Sequence, residues 1–332
     1  RLLDRLGFSA GGGALAAGEA LQRLSTQLAA PFFSSVAGKG LLPIEHPLNA
    51  GSTLCVEPGW RLISEADVVL AVGTEMADTD YWRERLPLKG ELLRVDIDPR
   101  KFNDFYPCAV ALKGDAQQTV QALLQRLPQA PRDAAAAARS VVAVLQAIES
   151  GHGPLQSIHQ AILERIEAEL PANAVISTDM TQLAYTGNYA YRSRAPRSWL
   201  HPTGYGTLGY GLPAGIGAKF GAPQRPGLVL VGDGGFLYTA QELATAVEEL
   251  DSPLVVLLWN NDALGQIRDD MLDLEIEPIG VLPRNPDFAL FAQAFGCTVN
   301  QPQNLDALQT DLRNAFKRNG VTLIELKHAC AC

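Results

Sequence analysis

The sequence has no apolar run long enough to cross a membrane as a helix, which would need about 18 consecutive apolar residues. Basic residues are also scarce, because 27 Lys and Arg stand against 36 Asp and Glu, giving a net charge of -9. Nothing concentrates Lys and Arg into a stripe that could read phosphates. We therefore expect neither a membrane nor a nucleic acid as a partner.

Cysteine is sparse as well, with five residues that form neither a zinc-type motif nor a disulfide framework. Cys330 and Cys332 lie two positions apart in a way typical of a frayed tail. An odd number of scattered cysteines favours a reducing compartment, so we expect a cytoplasmic location. The start, RLLDRLGFSAGGG, lacks an initiator Met and a signal-peptide pattern, which predicts a chain cut from a longer protein.

What the chain does have is length and apolar content. Its 332 residues, 47% of them apolar, are enough for about two domains. Apolar runs alternate with helical patterns, which is typical of parallel α/β architecture. We predict two doubly wound parallel-sheet domains, over residues 1–130 and 154–332. A Pro- and Ala-rich stretch with one helix, 131–153, is predicted to link them.

The predicted elements follow the apolar periodicity along each half. The strands expected in the first half are 31–36, 66–73 and 91–99, and the helices are 13–29 and 115–127. RLLDRLGF at 1–8 is predicted to be helical, so that no strand precedes the Gly-rich turn at 9–18. The strands expected in the second half are 173–178, 227–233, 253–260 and 321–326, and the helices are 155–169, 206–221, 240–250, 286–295 and 304–318.

Residues 231–262, VGDGGFLYTAQELATAVEELDSPLVVLLWNND, place polar groups at the ends of two predicted strands. Ligands of parallel sheets lie beyond these ends, where Asp233 offers a carboxylate and Asn261 an amide oxygen. Gly234 and Gly235 allow close approach of the backbone, and a helix start can meet an anion. Such oxygens beside a diphosphate suit Mg²⁺. GDG alone is an ordinary strand-to-turn sequence and Asn-Asn an ordinary turn, so the combination carries the signal.

This combination resembles the thiamine diphosphate (ThDP) motif, in which GDG is followed by about 25 residues and then NN. Here residues 235–259 separate GDG from NN. The surroundings resemble the acetolactate synthase / pyruvate decarboxylase superfamily over nearly the whole chain. In the second half the similar segments are GTLGYGLPAGIGA (206–218) and QELATAVEELDSPLVVLLWNNDALG (241–265). In the first half they are GKGLLPIEHPL (38–48), ADVVLAVGT (66–74) and VDIDP (95–99). The resemblance implies a central domain followed by a diphosphate-binding domain.

The resemblance also implies roles for individual residues. Asp233, the Asn261 side chain and the backbone carbonyl of Ala263 would bind Mg²⁺ together with diphosphate oxygens and water. Backbone N–H groups would hold the diphosphate at Gly234, Gly235, Leu264 and Gly265. Gln182, in DMTQLA (179–184), would add a side-chain donor, although it could equally be a plain helix N-terminal residue.

The Gly-rich segment is expected to shape the cofactor. Leu208 would be wedged between the two rings of ThDP, holding them in a V-shaped conformation, and the backbone of Gly206 and Leu208 would hydrogen-bond the aminopyrimidine. Holding the reacting groups of the cofactor in such a geometry contributes several kcal/mol to catalysis. The plainer alternative is that Leu208 is a core residue, which is the commoner fate of a leucine.

The helix after Asn-Asn bears on the substrate. Acetolactate synthases have apolar pocket residues there, including a Trp where this chain has Asp270, and Gln266 departs from their pattern too. A carboxylate at position 270 would repel a bare 2-oxo acid and favour one with a distal cation, such as a guanidino group. The rest of the acidic run 267–278 has the character of a solvated face. We predict a 2-oxo acid decarboxylase, with an acetolactate synthase-like carboligase as the alternative.

Several expectations concern what accompanies this chain. In the family a catalytic Glu comes from an N-terminal, pyrimidine-binding domain that has no match here, so the chain alone is expected to bind ThDP weakly and to be inactive. Intact relatives form dimers or tetramers. FAD is not expected, because no strand is predicted before the Gly-rich turn at 9–18 and because Glu75 stands where FAD binders carry an Arg. Alternatives are a non-catalytic nucleotide-binding module or, from the turn at 9–18, an NAD-dependent dehydrogenase; His201 is a further minor candidate.

Overall fold

A computed structural model describes residues 5–128 and 132–331. The chain divides into two compact units, one of Arg1–His152 with Asn188–Arg197 and one of Gly153–Gly187 with Ser198–Cys332. The predicted boundary at 130/131 lies outside the described residues. The helix predicted within the linker is α5 (Ala135–Ser150), and it belongs to the first unit.

The first unit contains a six-stranded sheet in which every pairing is parallel. Its strands are β1 (Leu6–Ala10), β2 (Phe32–Ser34), β3 (Asn49–Gly51), β4 (Val68–Val72), β5 (Glu91–Asp96) and β6 (Val110–Lys113). Its other helices are α1 (Gly18–Leu28), α2 (Glu57–Ser64), α3 (Asp78–Tyr81) and α4 (Ala116–Arg126), with 3₁₀ turns at Gly12–Ala17, Val36–Gly38 and Pro99–Phe102. The strand order is β3-β2-β1-β4-β5-β6, so the prediction of a doubly wound sheet is confirmed here.

The strand β1 shows that the prediction of a helix over RLLDRLGF is wrong where the residues are described; residues 1–4 lie outside that part. β1 is a central strand that pairs in parallel with both β2 and β4. Phe8 and Ala10, on one face, are 2% and 0% exposed, and Ser9, on the other face, is 1% exposed. A strand buried on both faces reads as a continuous apolar run, which short stretches of sequence do not distinguish from a helix.

The Gly-rich turn after β1 is closed by its own packing. Gly13 donates its N–H to the carbonyl of Gly73 at the end of β4 (3.0 Å). A Cβ placed on Gly11 would lie only 2.5 Å from that same carbonyl oxygen. Glu75 forms an ion pair with Lys101. The absence of FAD stays a prediction based on Glu75, because the argument from a missing strand does not hold.

The second unit contains another all-parallel six-stranded sheet, in the order β11-β12-β10-β9-β7-β8. Its strands are β7 (Val175–Thr178), β8 (Trp199–Leu200), β9 (Gly227–Gly232), β10 (Leu254–Asn260), β11 (Thr298–Asn300) and β12 (Val321–Lys327). Its helices are α6 (Pro154–Glu169), the first part of α7 (Gln182–Ala190), α8 (Gly211–Gly221), α9 (Asp233–Leu237), α10 (Leu243–Glu249), α11 (Gly265–Asp273), α12 (Phe288–Ala294), α13 (Leu305–Ala315) and α14 (His328–Ala331). The strand order reverses between β7 and β9, because β8 lies on one side of β7 and the later strands lie on the other.

The predicted helix over 206–221 begins only at Gly211. Gly206 and Gly209 have φ angles of +70° and +83°, which a right-handed helix cannot contain. Residues before α8 therefore form a loop, and this loop passes the end of β7. The correction matters because it places Leu208 on a loop and not on a helix.

Strand β10 is anchored by Trp259, which is 1% exposed. The rings of His159 and His328 lie edge-on to the indole, with centroids 5.5 Å and 5.4 Å away. Nδ1 of His159 lies 2.8 Å from Oγ1 of Thr186. Burial lowers the pKa of His159 to about 4, and the charge on His328 acts in the same direction. The imidazole of His159 is therefore neutral near neutral pH.

No helix within residues 5–128 and 132–331 has the length and apolar character that crossing a membrane requires. The cysteines in that part, Cys55, Cys108, Cys297 and Cys330, carry free thiols. Cys330 lies in α14, so the described portion of the predicted frayed tail is helical, while Cys332 lies outside the described residues.

Candidate active site

A cavity of about 310 Å³ lies in the second unit at the carboxyl ends of β7, β9 and β10. It includes the position where the strand order reverses, which is where open α/β sheets bind their ligands. All of the residues that the sequence singled out for metal, cofactor or substrate line it: Gln182, Gly206, Leu208, Asp233, Gly234, Gly235, Asn261, Ala263, Leu264, Gly265, Gln266 and Asp270. The sequence did not single out Met180, Thr181 or Tyr185, which also line it.

The two predicted metal-binding side chains share this cavity. Asp233 follows β9 and is 2% exposed, and its Oδ1 accepts a hydrogen bond from the N–H of Gly234 (2.9 Å). Asn261 follows β10, and its Oδ1 accepts the N–H of Ala263 (3.2 Å). The amide of Asn261 donates to Oε1 of Gln182 (3.2 Å), which joins the turn after β10 to the start of α7. The fold thus brings together oxygens that are 28 residues or more apart in sequence.

The charged side chains among the described residues that line the cavity are all acidic. Burial raises the pKa of Asp233, while hydrogen bonds from Asn285, Gly234 and Ala263 act in the opposite direction. Among the described residues that line the cavity there is no Lys, Arg or His. A diphosphate beside Asp233 would therefore meet a like charge unless a cation stood between them. No three His, Cys, Asp or Glu side chains cluster as a metal site in the described chain, and the set here is one carboxylate with amide and carbonyl oxygens.

Gly265 lies at the first position of α11, directly against two of these side chains. A Cβ there would lie 2.6 Å from Oε1 of Gln182 and 2.7 Å from Nδ2 of Asn261. Both distances are well inside van der Waals contact, so at least one side chain would have to move. The absence of a side chain at Gly265 is thus a requirement of the arrangement around Asn261.

We expect Gly265→Ala to weaken Mg²⁺-dependent binding of ThDP about tenfold, because it displaces Asn261 or Gln182 by a fraction of an ångström to an ångström. Gly217→Ala is the matched control, since nothing lies within 4 Å of a Cβ at that helical position. The control should bind normally and be more stable by about 0.5–1 kcal/mol. Isothermal titration and urea unfolding of both variants would measure these effects, and equal affinities would contradict the expectation.

Asp179, at the end of β7, holds the loop that carries Leu208. It is 0% exposed, and its carboxylate accepts the N–H groups of Gly209 (2.9 Å) and Gly211 (3.0 Å). Leu208 is half-buried, and its Cδ2 lies 3.4 Å from the position of a Cβ on Gly235. The sequence signal for Asp179 was an acidic residue ending a predicted strand, but its loop partners could not be read from sequence.

The acidic residues of α11 separate into two groups. Oδ1 of Asp270, within the cavity, accepts a hydrogen bond from the Gln266 amide (2.8 Å). Asp269 instead bonds Gln182 (2.9 Å) and Arg268 (2.8 Å). Burial, with smaller contributions from the charges of Asp179 and Asp270, raises the pKa of Tyr185 to about 12. Asp270 is thus the carboxylate of this helix that lines the cavity, and within the described residues no Lys, Arg or His forms an ion pair with it.

Two candidates have partners within the chain. The N–H of Leu264 donates to the carbonyl of Val281 (2.8 Å), so holding a diphosphate with this group would require that bond to break. Nδ1 of His201 lies 2.6 Å from Oγ1 of Thr178, and His201 is absent from the described lining of the cavity.

Comparison with known proteins identifies both parts of the chain. The C-terminal TPP binding domain of thiamine pyrophosphate enzymes matches residues 179–326, and the central domain of these enzymes matches residues 5–123. A protein of Pseudomonas aeruginosa named "Probable 2-ketoarginine decarboxylase" is 78% identical over 322 residues, which are 97% of this chain and 58% of that protein.

More distant relatives carry other activities in their names. The "Acetolactate synthase isozyme 1 large subunit" of Escherichia coli is 29% identical over 328 residues, 96% of this chain and 57% of that protein. A "Sulfoacetaldehyde acetyltransferase" of Roseovarius nubinhibens is 30% identical over 356 residues, 95% of this chain and 58% of that protein. The chain spans under three fifths of the length of these curated relatives. The chain belongs to the thiamine pyrophosphate enzymes, of which it contains the central and C-terminal domains.

Proposed function

We propose that this chain is the greater part of a ThDP- and Mg²⁺-dependent decarboxylase that acts on a 2-oxo acid with a guanidino side chain. The observation that carries the proposal is the common cavity of Asp233, Asn261, Gly265 and Asp270. The cavity supplies hard oxygen ligands at one point and, at another, the Asp270 carboxylate, which forms no ion pair within the described residues. The relative named for 2-ketoarginine, whose side chain is a guanidino group, supports the same substrate class.

The donor set fits the cofactor. Asp233, the Asn261 amide oxygen and the Ala263 carbonyl would hold Mg²⁺, which prefers such oxygens together with phosphate oxygens. Gly234, Gly235 and Gly265 would hold the diphosphate through N–H groups near the starts of α9 and α11, and Leu264 would join them once its hydrogen bond to the Val281 carbonyl is broken. Gln182 would contribute a side-chain contact. ThDP, when bound, supplies a thiazolium carbanion that attacks the 2-oxo carbonyl and an electron sink for the bond released with CO₂.

The remaining lining residues would orient cofactor and substrate. Leu208 would separate the two rings of ThDP, and the backbone of Gly206 and Leu208 would contact the aminopyrimidine. Gln266 holds the Asp270 carboxylate through its 2.8 Å hydrogen bond, and that carboxylate would pair with the guanidinium of the substrate. Orientation by a bidentate pair of this kind also places the 2-oxo carbonyl relative to the cofactor.

The intact enzyme requires more than this chain. We propose that an N-terminal, pyrimidine-binding domain completes the site and that the intact protein is a homodimer or homotetramer in the cytoplasm. The chain alone should therefore bind ThDP weakly and turn over no substrate. A carboligase like the acetolactate synthases is the second candidate, favoured by the relatives at 29–30% identity.

Turnover by a protein that joins this chain to such an N-terminal domain tests the proposal. With ThDP and Mg²⁺, we expect 2-ketoarginine to yield CO₂ and the guanidino aldehyde in equal amounts, followed by NMR and CO₂ release. Acetolactate formed from pyruvate at a higher kcat/KM would favour the carboligase. Absence of both Mg²⁺-dependent ThDP binding and CO₂ release would favour a non-catalytic module.

A further inference from the structure

Asn285 lies outside the cavity and joins the two turns whose inner sides line it. Its Nδ2 donates to Oδ2 of Asp233 (2.7 Å), to Oδ1 of Asn260 (3.2 Å) and to Oδ1 of Asp262 (3.1 Å). Asp233 follows β9, whereas Asn260 and Asp262 border the turn after β10. Asn285 itself is not among the residues that line the cavity. From outside the cavity, the amide nitrogen of Asn285 therefore links Asp233, in the GDG part of the ThDP motif, to Asn260 and Asp262, in and next to its Asn-Asn part.

The hydrogen bonds around Asn285 fix which way each amide points. Glu325 is 4% exposed, and its Oε1 accepts a hydrogen bond from Nδ2 of Asn260 (2.7 Å). A carboxylate can only accept, so Asn260 must present its NH₂ to Glu325 and its oxygen to Asn285. Asn285 must then present its NH₂, which is also what the Asp233 carboxylate requires. The carboxylates of Glu325 and Asp233 can only accept hydrogen bonds. They thus determine the orientation of the Asn260 and Asn285 amides that lie between them.

The orientation has a cost that the structure tolerates. Oδ1 of Asn285 is buried and has no hydrogen-bond partner among the described residues. An unpaired buried acceptor costs free energy, which is why few are found in folded proteins. Turning the amide over would not remove the cost, because its oxygen would then face the oxygens of Asp233, Asn260 and Asp262. The unpaired oxygen is the consequence of using one NH₂ group for three acceptors.

Packing holds Asn285 in place relative to the same elements. Asp287, two residues later, caps α12 by accepting the N–H of Leu290 (2.9 Å). Phe288, the first residue of α12, packs against Phe236 of α9 with ring centroids 5.8 Å apart, and both rings are buried. Because α9 begins at Asp233, the segment that carries Asn285 is fastened to the helix that carries its acceptor.

We propose that Asn285 is a positioning residue that fixes the Asp233 carboxylate relative to the turn after β10 and thereby sets the affinity of the site for Mg²⁺. This inference rests on the proposed Mg²⁺ site. Oδ1 of Asp233 accepts from Gly234 and Oδ2 accepts from Asn285, and each oxygen can accept a second partner. Hydrogen bonds to metal-binding carboxylates usually matter about 10–100-fold in metal affinity. Mg²⁺ depends on such rigidity more than Ca²⁺, which tolerates irregular geometry and longer bonds.

The test measures ThDP binding by titration calorimetry to this chain joined to the N-terminal domain of the proposed function, with Mg²⁺ or Ca²⁺ as the supporting ion. Asn285→Ala removes the amide, and Asn285→Leu removes it while keeping most of its volume, in case the smaller side chain unfolds the protein. Asn300→Ala is the matched control. Asn300 also donates to a carboxylate at a similar distance (2.8 Å), but its acceptor is the half-buried Asp311 and not Asp233. Unfolding midpoints without cofactor would accompany every titration.

Both Asn285 variants should bind ThDP about 10–100-fold more weakly with Mg²⁺, and lose less with Ca²⁺, while Asn300→Ala binds as the unmodified chain does. Mg²⁺ affinities within about twofold of the unmodified chain would overturn the inference. Equal losses with both ions, matched by a lower unfolding midpoint, would reduce Asn285 to a structural residue and overturn it too. If the unmodified chain shows no Mg²⁺-dependent binding, the proposed metal site fails, and this inference fails with it.

Discussion

Asp233→Ala is expected to abolish Mg²⁺-dependent binding of ThDP, weakening it more than about 100-fold, beyond the range for an outer hydrogen-bond partner. Asp233 is the carboxylate at the centre of the turn after β9, and within the described residues no basic side chain lines the cavity. Without the carboxylate, only an amide and a carbonyl would remain to hold the cation. Without the cation, no protein charge in the cavity would attract a diphosphate.

The control for this substitution is Asp311→Ala in the same unit. Burial raises the pKa of both carboxyl groups, and both accept a hydrogen bond from an asparagine amide, at 2.7 Å for Asp233 and 2.8 Å for Asp311. Asp311→Ala should keep normal ThDP affinity. Calorimetric titration of both variants decides the matter, and Asp233→Ala binding within about tenfold of the unmodified chain would remove the basis of the metal site.

Asp270→Asn is expected to lower kcat/KM for 2-ketoarginine at least about tenfold in the intact enzyme, which corresponds to a loss of about 1.4 kcal/mol. The substitution keeps the shape of the side chain but removes the charge that would pair with a guanidinium. For a 2-oxo acid with an uncharged side chain, such as 2-oxohexanoate, kcat/KM should stay the same or rise, because repulsion of the substrate carboxylate is relieved. The measurement is a comparison of initial rates for the two substrates.

Asp273→Asn provides the matched control for that experiment. Asp273 lies near the end of the same helix, is exposed, and does not line the cavity. It should leave the ratio of the two kcat/KM values unchanged. If both substitutions change the ratio equally, the general acidity of α11 and not Asp270 would account for the preference.

Sequence reasoning located the cavity because the chemistry of this site is local to strand ends. Asp233 and Asn261 each follow an apolar run that could be recognised as a buried strand, and parallel strands bring such ends to one edge. The same reasoning failed at β1, whose apolar residues fit a helix as well as a doubly covered strand. It also misplaced the start of α8, because Gly206 and Gly209 have positive φ angles and the N–H of Gly209 is held by the carboxylate of Asp179.

Asn285 was beyond the reach of the sequence for a different reason. Its partners are 23 to 52 residues away, and it precedes a proline in an irregular segment with no periodic pattern. Nothing local distinguishes it from an ordinary turn asparagine. Tertiary contacts, among them the packing of Phe288 on Phe236, bring it to Asp233. The position of a side chain that supports a site from outside the cavity depends on tertiary contacts. The position of a side chain at a strand end can be predicted from the strand itself.

Trp259 gives the second unit a natural fluorophore directly beside the metal-binding turn. The indole is buried, and Trp259 is followed directly in the chain by Asn260 and Asn261. The neighbouring His159 is uncharged at neutral pH. Because Trp259 adjoins the metal-binding turn, loading of the site should change its emission, and replacing Trp60, Trp82 and Trp199 by Phe would separate that change from the signal of the other tryptophans.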